Sequence, residues 1–330
     1  MAAETQAAGA AAIQRVAVIG GGAIGSLLAG HLSRVCETWV LTRRAEHAER
    51  LNAGGLRVTG KSELIGPVRA TSTAAELPEL DLGIFAVKAT DLDAASTRLE
   101  GLAAEATMMT IQNGIGAEQV VARHGGWPLI SAVTFMSGNR RSDVEVEYEL
   151  DTATWLGPWA ATNTPLQTVE AVAELINSSG LHAKAMADLV PAQWSKLIFN
   201  SAVNGVAALT GLPHVALYAE EDALAPVVRA LIDEGKAVAA AAGIDLYEDP
   251  WDMNVLAVAR GETDRSDYAH LPSMLEDVLA HHHTEVDFIC GAVVREAGER
   301  RVPVPVTAAV DRLIKGLEAS WARRTEGVLG

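Results

Sequence analysis

Arg15-Val16-Ala17-Val18-Ile19-Gly20-Gly21-Gly22-Ala23-Ile24-Gly25 is the stretch whose reading decides the fold. Its first half is an apolar run of strand length. It leads directly into G-x-G-x-x-G, after which Ile24, Leu27, Leu28 and Leu32 recur at helical spacing. Strand, glycine turn and helix in that order are the context in which this motif cradles a dinucleotide. Gly20 permits the tight turn, Gly22 lets a pyrophosphate approach the backbone, and Gly25 lets the helix lie close to the sheet. The N–H groups of the stretch Gly22-Ala23-Ile24-Gly25 then face the phosphates at the helix start. Outside that context the same glycines would read as a flexible turn.

Outward from this motif the first half continues as alternating strands and helices. Thr38-Trp39-Val40-Leu41-Thr42 reads as the second strand and ends at Arg43-Arg44. A site for NAD usually carries Asp or Glu here to bind the ribose 2′-hydroxyl, whereas guanidinium groups suit a 2′-phosphate. The expected cofactor is therefore NADP(H), with Arg43 at the phosphate. A pair of solvated arginines is the alternative, and Glu46 stands close by. Further strands are expected over 81–87, ending at Lys88, over 106–111, ending at Gln112-Asn113-Gly114, and over 129–135. Ligands gather at the carboxyl ends of parallel strands, where Lys88 and Asn113 both stand; the alternatives are that Asn113 before Gly114 shapes a turn and that Lys88 is simply exposed. Paired strands over 144–159, a helix over 164–178 and a crossing segment at 183–187 close this half.

From residue 190 the pattern turns helical, with helices expected over 191–209, 221–242, 250–260, 273–280, 285–299 and 307–316. The fold class is thus α/β: an N-terminal Rossmann-type doubly wound sheet over 14–187, followed by an all-helical domain over 188–330. Residues 1–13 read as a frayed tail.

In the first of these helices Lys196, Asn200 and Asn204 stand at i, i+4 and i+8, on one stripe among Trp194, Leu197, Ile198 and Val203. An amine and two amides on a buried helix are costly unless paired. Either a bound polar substrate pairs them, or the lysine reaches solvent beside two amides that cap backbone groups.

Two later groups carry polar chemistry. Ser273-Met274-Leu275-Glu276 fits a capping box with Ser273 as N-cap and Asp277 in the same first turn. His283-Thr284-Glu285-Val286-Asp287 follows. On one straight helix Ser273 and Glu285 would be separated by about 18 Å of rise. If both line one site the chain must break between them, and the expected break is His281-His282-His283-Thr284, with Thr284 as the next N-cap and Glu285 then able to be a plain partner of the helix dipole. Consecutive histidines on a helix point about 100° apart and have no accompanying ligand set, so no metal site is expected.

The 330 residues carry a formal charge of −16, with 26 basic against 42 acidic side chains. That balance argues against nucleic acid or an anionic membrane as the main partner, but permits an anionic small molecule in a locally positive pocket. No window is apolar enough to span a bilayer. Two isolated cysteines, Cys36 and Cys290, fit a reducing cytoplasm better than a disulfide framework.

Taken together, Gly20 to Gly25, Phe85-Ala86-Val87-Lys88, Gln112-Asn113-Gly114, residues 194–204, Pro272-Ser273-Met274 and residues 283–287 resemble the ketopantoate reductase family (2-dehydropantoate 2-reductases and relatives) in order and spacing, from about residue 15 to 317. The resemblance implies NADPH-dependent reduction of the 2-oxo group of ketopantoate to D-pantoate, a step towards pantothenate and coenzyme A. It makes Lys196 the general acid and has Glu285 hold the substrate or the lysine. Asn113, Asn200 and Asn204 position the substrate, with Asn113 also near the nicotinamide. Ser273 binds the substrate carboxylate, Arg43 lies at the 2′-phosphate, and Lys88 on the cofactor side. Gln112 stands where members active on ketopantoate often have His, and Pro272 where some have Ser. These departures keep open a second reading, the same chemistry on another small 2-oxo acid or an imine. A third, a dinucleotide-binding protein without turnover, fits poorly with the intact Lys196, Asn200, Asn204 and Glu285 set. Helical second domains of such enzymes often pair, so a homodimer is compatible with the sequence.

Overall fold

The structure is a computed structural model that describes residues 13–213, 223–253 and 271–325, with side chains through Trp321. The N-terminal tail and most of the helix expected over 250–260 lie outside the described residues.

The first half builds an eight-stranded sheet from β1 (Arg15–Ile19), β2 (Glu37–Leu41), β5 (Arg69–Thr71), β6 (Leu82–Phe85), β7 (Thr107–Thr110), β8 (Leu129–Thr134), β11 (Thr154–Pro158) and β12 (Ala183–Ala185). Their order is β12-β11-β8-β7-β6-β1-β2-β5. Neighbours run parallel, with Val18 beside Val40 and Ile84, except that β11 runs antiparallel to β8. β1 is buried from Val16 to Ile19, the continuous apolar run of a strand covered on both faces. The chain winds from β1 towards β2 and β5, then returns to the other side of β1 as β6. This reversal places the switch point at the ends of β1 and β6, where open α/β sheets bind ligands.

Helices α1 (Ala23–Leu32), α2 (Ala45–Gly54), α3 (Leu92–Thr97), α4 (Ala117–Val121) and α5 (Leu166–Ser178) connect the strands. α1 is buried from Gly25 to Leu32. A helix that is apolar all round needs cover on every side. The large sheet covers one side, and a second sheet of order β4-β3-β10-β9 covers the other: β3 (Leu56–Gly60), β4 (Leu64–Gly66), β9 (Ser137–Ser142) and β10 (Glu145–Leu150). A Cβ on Gly30 of α1 would come within 2.8 Å of Val58 on β3, so the absence of a side chain permits this approach. The expectation of paired strands over 144–159 is corrected here. β10 pairs with β3 and β9, while β11 joins the large sheet, so the two belong to different layers. The segment expected to cross at 183–187 is itself a strand, β12, parallel to β11.

The second half contains α6 (Val190–Thr210), α7 (Ala225–Ala241), α8 (Ser273–Leu279), α9 (Cys290–Arg300) and α10 (Pro305–Thr325). α6 is buried without a break from Leu197 to Ala208 and packs against α7, α8, α9 and α10, as its all-round apolar sequence requires. Gly235 of α7 lies against Ile198 of α6, and Gly205 of α6 against Val310 of α10.

Three helix boundaries differ from expectation. The capping box does not form: Pro272 occupies the N-cap of α8, Ser273 is the first helical residue, and no side chain caps this end. The helix does break after residue 280, with His281 at φ 53°. The next helix, however, starts at Cys290, and residues 285–289 form a turn in which the Ile289 N–H donates to the Glu285 carbonyl. The last helix begins two residues before 307 and extends nine residues past 316.

The chain forms two compact units. One runs to Leu189, less two short segments. The other contains those segments, Lys88–Asp93 and Gln112–Val120, together with the helices from Val190 onward. Among the described residues no helix is long and apolar enough to cross a membrane.

Candidate active site

The glycine loop of the first unit leaves little room for side chains at two of its three motif positions. Gly20 has φ 113°, and a Cβ there would meet Val87 at 2.8 Å and the Ala86 backbone at 3.0 Å. A Cβ on Gly25 would stand 2.0 Å from the Gly20 carbonyl oxygen. At Gly22, by contrast, a Cβ would meet only the Ala86 carbonyl oxygen, at 4.0 Å, an ordinary van der Waals distance, so a side chain would fit there. No side chain caps the start of α1, and its first turn, from Ala23 and Ile24, holds no acidic residue. Uncapped backbone donors and no competing carboxylate fit a dinucleotide phosphate.

At the end of β2, Arg43 is exposed. Arg44 pairs with Asp143 at 2.5 Å, where Arg50 and Arg140 also converge.

The polar array of the second unit centres on Asn113. It follows β7 at Gly114, whose φ of 89° and close approach to the Phe288 carbonyl admit no side chain. The Ile115 N–H donates to that same carbonyl at 3.1 Å, docking this loop on the turn 285–289. The Lys196 ammonium donates to the Asn113 Oδ1 at 3.0 Å, and the Asn200 amide approaches the same oxygen at 3.4 Å. Asn113 in turn donates from Nδ2 to the Glu285 Oε2 at 3.3 Å, while the Ala89 N–H donates to Oε1 at 2.9 Å. Donors on its oxygen and an acceptor at its nitrogen set the orientation of the Asn113 amide. Asn113 therefore does more than shape a turn. Glu285 is not the plain partner of a helix dipole either, because it precedes the helix and its carboxylate is held by Ala89 and Asn113.

Lys88 forms an ion pair with Asp277 of α8. Asn204, one helical turn beyond Asn200 on α6, reaches the start of α8. Its Oδ1 meets the Met274 N–H at 3.5 Å, a long contact at the start of α8, and Ser273 beside it is exposed. Lys196, Asn200, Asn113 and Glu285 are thus brought together, and Asn204 and Ser273 share the neighbouring helix start.

Loss of solvation pulls the Lys196 ammonium down to about 8, against the opposing pull of the Glu285 charge. Burial pushes the Glu285 carboxyl up, and the Ala89 and Asn113 donors partly offset it. Burial also raises Asp277, opposed by Lys88. A lysine with this proton affinity is mostly charged at pH 7 yet can release its proton, as a general acid must.

Two participants were not read from the sequence. The Ala89 N–H is a backbone group without a sequence signal. Asp277 did carry one, since it lies four residues after Ser273 on the same helical face. The histidines serve elsewhere: His281 stacks on Trp321, and His283 bonds Glu318 at 3.0 Å. Among the described residues no group of three or more metal-ligand side chains converges.

Comparison with known proteins follows this geometry. Residues 16–161 match the family model described as "Ketopantoate reductase PanE/ApbA", and residues 188–318 match "Ketopantoate reductase PanE/ApbA C terminal". A 2-dehydropantoate 2-reductase of Pyrococcus horikoshii is 28% identical over 305 residues, covering 92% of this chain and 98% of its own. The crystal structure of 2-dehydropantoate 2-reductase from Methylococcus capsulatus superimposes with a TM-score of 0.79 at 26% identity, covering 93% of this chain and 97% of that one. A ternary structure of D-mandelate dehydrogenase with NADH and anilino(oxo)acetate shares the fold, with a TM-score of 0.81 at 22% identity over 93% and 99% of the two chains.

Proposed function

This chain belongs to the ketopantoate reductase family of oxidoreductases, and from that membership we propose that it reduces 2-dehydropantoate to D-pantoate with NADPH, in the cytoplasm. The observation that carries the reading is the Lys196 ammonium, held on Asn113 and near Glu285 with its proton affinity lowered to about 8.

Reduction of a ketone builds negative charge on its oxygen. A positioned ammonium stabilises that charge and then gives up a proton to it. Lys196 takes this role. Glu285 opposes the loss of its charge, and Asn113 orients both. Asn200 and Asn204 offer amides for the substrate, and Ser273 a hydroxyl for its carboxylate. Gly20, Gly22, Ala23, Ile24 and Gly25 hold the dinucleotide phosphates, Arg43 the 2′-phosphate, and Lys88 the cofactor side. The nicotinamide, when bound, supplies the hydride.

Gln112 and Pro272 favour a second reading, the same reduction on another small 2-oxo acid or on an imine. Both readings are tested by initial rates of NADPH oxidation at 340 nm with ketopantoate and a panel of other 2-oxo acids. A kcat/KM for ketopantoate of at least about 10⁴ M⁻¹s⁻¹ supports the first. A large preference for another oxo acid replaces it with the second. NADPH binding without turnover of any carbonyl or imine defeats both.

A further inference from the structure

The turn that carries Glu285 is held from a distant part of the chain. Between the end of α8 at Leu279 and the start of α9 at Cys290 there is no regular helix to fix a side chain. Glu318, on α10, grips this segment with both carboxylate oxygens. Its Oε1 accepts the Thr284 N–H at 2.9 Å and the Thr284 hydroxyl at 2.6 Å, and its Oε2 meets the His283 Nδ1 at 3.0 Å. The Thr284 hydroxyl also accepts the Val286 N–H at 3.2 Å. The residues on either side of Glu285 are therefore tied to one carboxylate, directly at Thr284 and through its hydroxyl at Val286. Thr284 is 3% exposed and the Glu318 side chain 11%. A carboxylate so far from water is costly unless its bonds are made, and bonds made by an ionised acceptor are short and directional.

We propose that Glu318 is a positioning residue of this site: by holding Thr284 it places the Glu285 carboxylate against Asn113 and the Ala89 N–H, and so sets the surroundings of Lys196. The inference rests on the reductase reading for its role in turnover, but the coupling of Glu318 to Lys196 is open to test without turnover. The charged groups facing this centre are Lys196, Lys88, Asp277 and Glu285, and His282 and Glu318 face Asp277. If the turn loosens and Glu285 withdraws, burial acts on Lys196 with less opposition, and its proton affinity falls.

The test compares E318A, E318Q and T284V in the full chain. Lys196 is titrated by NMR on protein labelled at lysine Cε, with its signal assigned by its loss in Lys196→Met. In E318A the Lys196 pKa should fall by at least about half a unit. kcat should drop by about 10- to 100-fold, the range for partners that orient a site residue, with the KM for NADPH little changed. T284V keeps the backbone bond but loses the hydroxyl, and should move both quantities in the same direction by less. E318Q, whose amide can accept from Thr284 and donate to His283, should restore most of what E318A loses. An unchanged Lys196 pKa in folded E318A, or in T284V should E318A not fold, overturns the proposal and leaves Glu318 a purely structural contact. Absence of turnover in the wild type would instead defeat the reductase reading, while the titration still decides whether Glu318 governs Lys196.

Discussion

In the proposed reduction Lys196 would have to be charged to stabilise an alkoxide and then part with the same proton, so its surroundings matter more than its presence. Burial lowers its proton affinity and the Glu285 charge raises it, and burial wins, at about 8. The rate should therefore fall as pH rises through about 8, where the ammonium is lost. In Lys196→Ala kcat should fall by about 10²- to 10⁴-fold, and the basic limb should disappear. In Glu285→Gln the opposing charge is removed, so the limb should move to lower pH; a shift upward would contradict this assignment. At this scale the sequence was informative where spacing acts within one element. Lys196 and Asn200 lie on one stripe because of the 3.6-residue period, and both reach the same atom. It was silent on that atom's owner, because Asn113 meets Lys196 across 83 residues of chain. It also misplaced the cap of α8: Ser273 has the composition of an N-cap, yet Pro272 takes that position.

Among the elements, the glycine loop and α1 lend themselves to a paired test. Gly25→Ala places a Cβ 2.0 Å from the Gly20 carbonyl oxygen. It should destabilise the protein by about 1–3 kcal/mol, seen in denaturant unfolding, as overpacking does. Gly22→Ala meets nothing nearer than 4.0 Å in the protein itself. It should leave unfolding unchanged but weaken NADPH binding, measured by calorimetry, since the added methyl fills the space expected of the pyrophosphate. Equal effects of the two substitutions on stability would remove the distinction between a packing glycine and a binding glycine. α1 also shows how an element signals a neighbour it does not name. Its apolar, unsided sequence states that it is covered on both sides, but not by what. The second cover is a four-stranded sheet whose members come from residues 56–66 and 137–150. β10 and β11 look like a hairpin in sequence, since only a short polar segment separates them. They part because β10 finds a parallel partner in β3, far back in the chain.

For the molecule as a whole, the net charge of −16 repels anions at long range, so the proposed binding of NADPH would depend on local cations and backbone donors. A ligand that binds the folded state stabilises it by mass action, about 2.7 kcal/mol at a hundredfold excess over its Kd. Thermal unfolding with equal concentrations of NADPH and NADH should therefore show a larger rise in Tm for NADPH, and Arg43→Ala should remove most of the difference. A larger rise for NADH would turn the cofactor assignment around. By itself the sequence determined what local periodicity and steric need can encode: the strand, glycine turn and helix of a dinucleotide fold, the helical second half, and the polar stripe of α6. Only the tertiary structure decided which residues meet across long separations. These are Asn113 with Lys196 and Glu285, Lys88 with Asp277, and Glu318 with Thr284. The physical reason is that a hydrogen bond is specified by the positions of two atoms, whereas a sequence specifies positions only over the few residues that share a helix turn or a strand pleat.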